Sequence, residues 1–194
     1  MAAEPSGEHL AIVLPGGNFF LSAVLRLPAV ALAGLGAEIR DVTPAGFAPS
    51  GSVEENRAYF DPVGDQIQAI IDERPRTRVT FVVKSIGTMI LGAVGAELRL
   101  PDQVDVLWLT PIFRQEYVRD TAVRMAWRSL VVSGTADFHY DADATRTVVR
   151  ALKAEELVID GAEHNLEVHG DVRATVAALD RLATATLTFL DGRT

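Results

Sequence analysis

The chain is 194 residues long, 48% hydrophobic and 23% charged, enough to bury one substantial core and too short for two ordinary domains. Its 26 acidic residues against 18 basic ones leave a formal charge of -8, and no cluster of lysine and arginine offsets that excess, so nucleic acid is not an expected partner. The absence of cysteine excludes disulfides and thiolate-held metals and fits a reducing compartment, by default the cytoplasm.

Residues 1–8 include Glu4, Pro5, Gly7 and Glu8, carry neither the basic start nor the apolar run of a secretory signal, and read as a flexible tail before a single domain at 9–194. The first apolar run, His9 to Leu14, reads as a strand. It is followed by the glycine turn Leu14-Pro15-Gly16-Gly17-Asn18-Phe19 and a helical stretch from Phe20 to Leu35. Arg26 and Pro28 keep the apolar residues around it short of the roughly eighteen uninterrupted ones of a membrane span, so no membrane partner is expected. A strand is predicted over Ala37 to Val42, and Thr43 to Asp65 reads as irregular because Pro44, Gly46, Pro49, Gly51 and Pro62 break any period. Helix is predicted over Gly64 to Glu73, strand over Arg78 to Val83, helix over Ile86 to Leu98, and strand over Val104 to Leu109. Beyond these lie helix Val118 to Arg128, strand Leu130 to Ser133, helix Thr145 to Lys153 and strand Glu156 to Ile159. The last helix, Val172 to Leu190, is the clearest: Val172, Val176, Leu179, Ala183, Leu187 and Leu190 form an apolar stripe behind Asp171 as N-cap.

Short apolar runs alternating with helical stretches require an α/β fold, here a three-layer α/β/α sandwich around a six-stranded, mainly parallel sheet. Apolar faces on an edge helix could support a homodimer.

Chemistry is expected where loops leave the carboxyl ends of the strands. Lys84-Ser85-Ile86-Gly87-Thr88 joins a strand to a helix, and a tight turn there would hold Ser85 out from the sheet. A serine before a helix also serves as an N-cap, and the common G-x-S-x-G pattern has Val83 at its first position here. A nucleophilic serine needs a base and an acid to orient it. Asp137 follows the fifth strand, with Asp141 as rival, and His164 follows the sixth. His9, His139 and His169 have adequate surface or capping readings, although His139 lies beside the acid loop. Lys84 reads first as a surface residue and second as a positive charge beside the nucleophile. Gly16-Gly17 lacks the rest of G-x-G-x-x-G, and the glycines that a phosphate-binding loop needs before Lys84-Ser85 are replaced by Arg78 and Val83. No H-x-H or H-x-x-x-H spacing occurs, so neither a metal nor another cofactor is expected.

The segments Lys84-Ser85-Ile86-Gly87-Thr88, Gly134-Thr135-Ala136-Asp137 and Gly161-Ala162-Glu163-His164 resemble the nucleophile, acid and histidine segments of the α/β-hydrolase superfamily, in its chain order. The likeness is greatest to its small, lidless, dienelactone-hydrolase-like members and runs from about His9 to the end of the last helix. It implies the strand order 2-1-3-4-5-6, without the two N-terminal strands of larger relatives. It further implies an oxyanion hole formed by the amide of Ile86 and by that of Gly17 or Asn18, although the histidine of the His-Gly-Gly pattern is absent.

The expected activity is hydrolysis of a small-molecule ester, thioester or amide through Ser85, His164 and Asp137. With no room for a lid, short loops should bound the pocket, with Phe19, Lys84, Ile112 and Phe138 as candidate substrate contacts, each equally able to be structural. The alternative from another class is a noncatalytic protein of this fold that binds a ligand or partner, for which Val83 is the main argument.

Overall fold

The structure, a computed structural model, describes residues 8–16, 22–44 and 52–192. Runs rich in Val, Ile and Leu become the strands of one all-parallel sheet: β1 (His9–Leu14), β2 (Glu38–Asp41), β3 (Arg78–Lys84), β4 (Gln103–Leu109), β5 (Arg128–Gly134) and β6 (Glu155–Ile159). The helices between them are α1 (Ala23–Gly34), α2 (Arg57–Asp72), α3 (Ile86–Val94), α4 (Glu116–Met125), α5 (Ala142–Leu152) and α6 (Val172–Asp191). The strand order is β2-β1-β3-β4-β5-β6, as the resemblance implies.

Helices cover both faces, so the central strands β3 and β4 are buried almost throughout and read as near-continuous apolar runs. Leu10, Ile12, Phe81, Val83, Val106 and Trp108 pack against α2 to α5, while Ala11, Val13, Val82, Leu107 and Leu109 pack against α1 and α6. This alternation is the two-residue period of the pleat. Among the described residues, no helix is long and apolar enough to cross a membrane.

The structure departs from the expected boundaries in several places. The supposedly irregular stretch before Asp65 holds a 3-10 turn at Glu54–Asn56 that leads directly into α2, which runs through Pro62. Burial of Phe60, Val63, Ile67, Ile70 and Ile71 along one face outweighs the hydrogen bond that the exposed Pro62 cannot make. Helix α3 stops at Val94, short of the expected Leu98. Helix α4 ends at Met125 with Ala126 left-handed (φ 50°), and Arg128 already belongs to β5, because its guanidinium pairs with the buried Asp105 of β4.

Candidate active site

From β1 the chain crosses to β2 on one side of the sheet and then returns to β3 on the other. The connections therefore diverge between β1 and β3, and a crevice opens beyond their carboxyl ends. Ser85 stands there, between β3 and α3, with φ 53° and ψ -116°. A side chain at positive φ is strained by roughly 1–3 kcal/mol and persists only when its surroundings impose it.

Those surroundings are specific. The Ser85 amide donates to the Leu109 carbonyl at 3.2 Å, and the Ser85 carbonyl accepts from the Thr88 amide at 2.9 Å and the Thr88 hydroxyl at 2.5 Å. The same hydroxyl accepts from the Ile112 amide at 3.2 Å, tying the turn to the loop after β4. A Cβ on Gly87 would lie 2.2 Å from the Leu14 carbonyl oxygen, so only glycine lets α3 approach β1 this closely. A Cβ on Gly16 would meet Ser85 Cβ at 2.4 Å and Oγ at 3.0 Å, which places the backbone after β1 directly against the serine. Val83 is fully buried in the core beneath α2 to α5, so the departure from G-x-S-x-G is accommodated by packing.

The loops that carry Asp137 and His164 are stitched together before these candidate side chains meet. The Thr135 amide donates to the Ile159 carbonyl (3.0 Å) and the Ala136 amide to that of Ala162 (2.9 Å). The Thr135 hydroxyl donates to Asp160 Oδ1 (2.9 Å) and accepts from the Gly161 amide (2.8 Å). A Cβ on Gly134 would sit 2.2 Å from the Ala162 carbonyl oxygen, another contact that excludes a side chain. At the end of this seam His164 Nδ1 lies 2.8 Å from Asp137 Oδ2, while Asp137 Oδ1 accepts the His139 amide at 2.9 Å. Burial works to raise the Asp137 carboxyl. The hydrogen bonds from His164 and the His139 amide, with the charge of both rings, outweigh burial and hold it below its usual range.

Asp141, the rival acid, instead caps α5 by accepting the amides of Asp143 (3.1 Å) and Ala144 (2.9 Å). His9 lies 2.9 Å from the Thr80 hydroxyl near the opposite edge of the sheet, and the His169 side chain is 93% exposed.

Lys84 corrects the surface reading: it is 4% exposed, because the residue preceding Ser85 is still inside the sheet. Burial pushes its ammonium down to about 8 against the opposing pull of Asp137. Ile112 is a core residue at 4% exposure and packs beneath the site, in place of the candidate contact surface. Phe138, 73% exposed, lies 5.8 Å from the His164 ring, centroid to centroid, with the His139 ring 5.3 Å from His164. Ile86 opens α3, where an amide has no intrahelical acceptor and is available to an anion. Gly17, Asn18 and Phe19 lie outside the described residues. Gly16, which begins the loop expected to supply the second donor, lies directly against Ser85.

No protein-family model matches the chain, and no curated protein does. Solved structures do resemble it. A serine hydrolase homologue from Coxiella burnetii is 16% identical with a TM-score of 0.65, over 96% of this chain and 88% of that one. The protein Est1E from Butyrivibrio proteoclasticus is 12% identical, with a TM-score of 0.69 over 97% and 88%. A serine hydrolase without a lid from Xanthomonas campestris is 17% identical, with a TM-score of 0.63 over 97% and 84%. The fold is that of the α/β hydrolases.

Proposed function

We propose that this chain is a serine hydrolase that cleaves a small-molecule ester, thioester or amide through an acyl-enzyme. The observation that carries the reading is the 2.8 Å contact between His164 and the buried Asp137, at the sheet edge that also holds Ser85 in a strained turn. An N-cap serine needs no such strain.

In this reading Asp137 holds the proton of His164 on Nδ1, leaving Nε2 free to accept the Ser85 hydroxyl proton. Ser85 Oγ then attacks the substrate carbonyl, and the resulting oxyanion is met by the Ile86 amide and by a donor from the loop beginning at Gly16. The imidazolium returns its proton to the leaving group. Water, activated by the same histidine, releases the acid and restores the serine. The exposed Phe138 beside His164 supplies an apolar contact for the leaving group.

The test is time-dependent labelling by a fluorophosphonate with intact mass and peptide mapping, on wild type and on Ser85→Ala and His164→Ala. Stoichiometric labelling at Ser85 that both substitutions abolish is expected. A well-folded wild type that does not label would favour a noncatalytic binding protein of this fold.

A further inference from the structure

We infer that His139 is a positioning residue: its ring packs against that of His164 and, together with the Asp137 hydrogen bond, fixes the plane of the imidazole that accepts the Ser85 proton. The inference rests on the serine-hydrolase reading above and adds a side chain which that mechanism does not use. A single hydrogen bond, from His164 Nδ1 to Asp137 Oδ2 at 2.8 Å, leaves an imidazole free to pivot about the line through the two atoms. Such a pivot swings Nε2 out of line with the serine, and proton transfer depends steeply on that alignment. A second contact is needed to stop it.

The half-buried ring of His139 makes that contact. The two ring centroids are 5.3 Å apart with their planes at 62°, the edge-to-face arrangement that aromatic pairs favour. The Phe138 ring packs against His139 at 3.8 Å, centroid to centroid, and lies 5.8 Å from His164, which closes a cluster of three rings. His139 is held in turn by its backbone. Its amide donates to Asp137 Oδ1 at 2.9 Å, and the next amide, that of Tyr140, donates to the Asp137 carbonyl at 2.9 Å. One tight turn therefore carries both the acid and the supporting ring, so their two contacts with His164 keep a fixed relation.

Packing, and not a side-chain hydrogen bond at Nδ1, holds the supporting ring, because that nitrogen is buried with no partner among the described residues. Burial first, and then the charge of Arg114 and of His164, pushes the ring down to about 4, so at neutral pH it is uncharged and offers Asp137 no competing cation. A phenyl ring should therefore serve in its place, whereas a short or flexible side chain should not.

The test compares wild type with His139→Ala, His139→Gln and His139→Phe, all of which keep the backbone amide on Asp137. Folding is checked by circular dichroism, and kcat and KM are measured for p-nitrophenyl acetate. The Ala and Gln variants should lose about 10- to 100-fold in kcat with KM within about twofold, and the Phe variant should stay within about threefold of wild type in both. If Ala does not fold, Gln carries the comparison. An unchanged kcat in a folded variant without the ring overturns the inference, and so does a Phe variant as impaired as Gln, since the ring would then act through its nitrogens. Proton NMR supplies a readout independent of turnover: the downfield resonance of the His164 Nδ1 proton, assigned by its loss in His164→Ala, should persist in wild type and Phe and be lost to solvent exchange in Ala and Gln. Its persistence in all variants also overturns the inference. A wild type that shows this NMR pattern but neither labels with a fluorophosphonate nor turns over ester would support the positioning role and overturn the hydrolase reading alone.

Discussion

Both edges of the sheet hold buried charge, and they treat it differently. At the amino edge Asp105, fully buried, is gripped by Arg78 at 2.7 Å and by Arg128 at 3.4 Å, and Arg128 also reaches the Phe189 carbonyl and Glu155. At the carboxyl edge one carboxylate, Asp137, serves His164, the His139 amide and the field of Lys84. Ser85 and Thr110 are held at positive φ (53° and 43°), and the Thr110 hydroxyl and His139 Nδ1 are buried without a partner among the described residues. At the amino edge two arginines hold one carboxylate and tie strands together, whereas at the carboxyl edge one carboxylate meets a histidine ring and a loop amide, near a serine held at positive φ. The fold can carry the second because the first anchors the same strands.

Substitutions at the two edges should therefore separate activity from stability. The largest effect is expected for Ser85→Ala, a loss in kcat on the order of 10⁶-fold with the melting temperature little changed, read by ester hydrolysis and calorimetry. Next comes Asp105→Ala, which removes the buried carboxylate that Arg78 and Arg128 share and should cost about 3–5 kcal/mol in urea denaturation, with activity per folded molecule preserved. A matching loss of catalytic power in that variant would erase the distinction between the edges. Gly87→Ala, whose new methyl would meet the Leu14 carbonyl oxygen at 2.2 Å, should cost about 1–3 kcal/mol and also lower activity, since relief of the clash moves the Ser85 turn.

Acid should produce a smaller effect that draws on both edges. His9, at the amino end, is pushed down to about 4 by burial and by Arg78, and His139 falls to a similar value at the carboxyl end. For each, the unfolded chain binds a proton first as pH falls below about 6.5, so stability should decline from there to about pH 4. Melting temperatures across that range test this, and His9→Gln, which retains a partner for Thr80 but does not titrate, should flatten the slope. Smallest of all should be Phe138→Ala, within about 0.5 kcal/mol in stability because the ring is 73% exposed, with its effect confined to KM for bulky leaving groups.

Much of this was legible in the linear chain. Apolar runs such as Val79–Val83 and Val104–Leu109 announced central strands, and the stripe along α6 announced its packing face, because periodicity records directly which side of an element is buried. The placement of Ser85, Asp137 and His164 on loops after strands was legible for the same reason, and the structure brings His164 to Asp137. The rest depended on approaches between segments far apart in the chain, which no local pattern encodes. Pro62 reads as a breaker until the core beneath α2 is known. Gly16 reads as half of a flexible pair until Ser85 is found against it, and Thr135 as a turn residue until Asp160 and Gly161 close on its hydroxyl. Lys84 reads as a surface charge because lysine ordinarily is one. Residue types and their order thus determined the layers and the candidate chemistry. Only the tertiary structure decided which charges are buried and which backbones touch, because desolvation and close contact depend on the assembled neighbourhood.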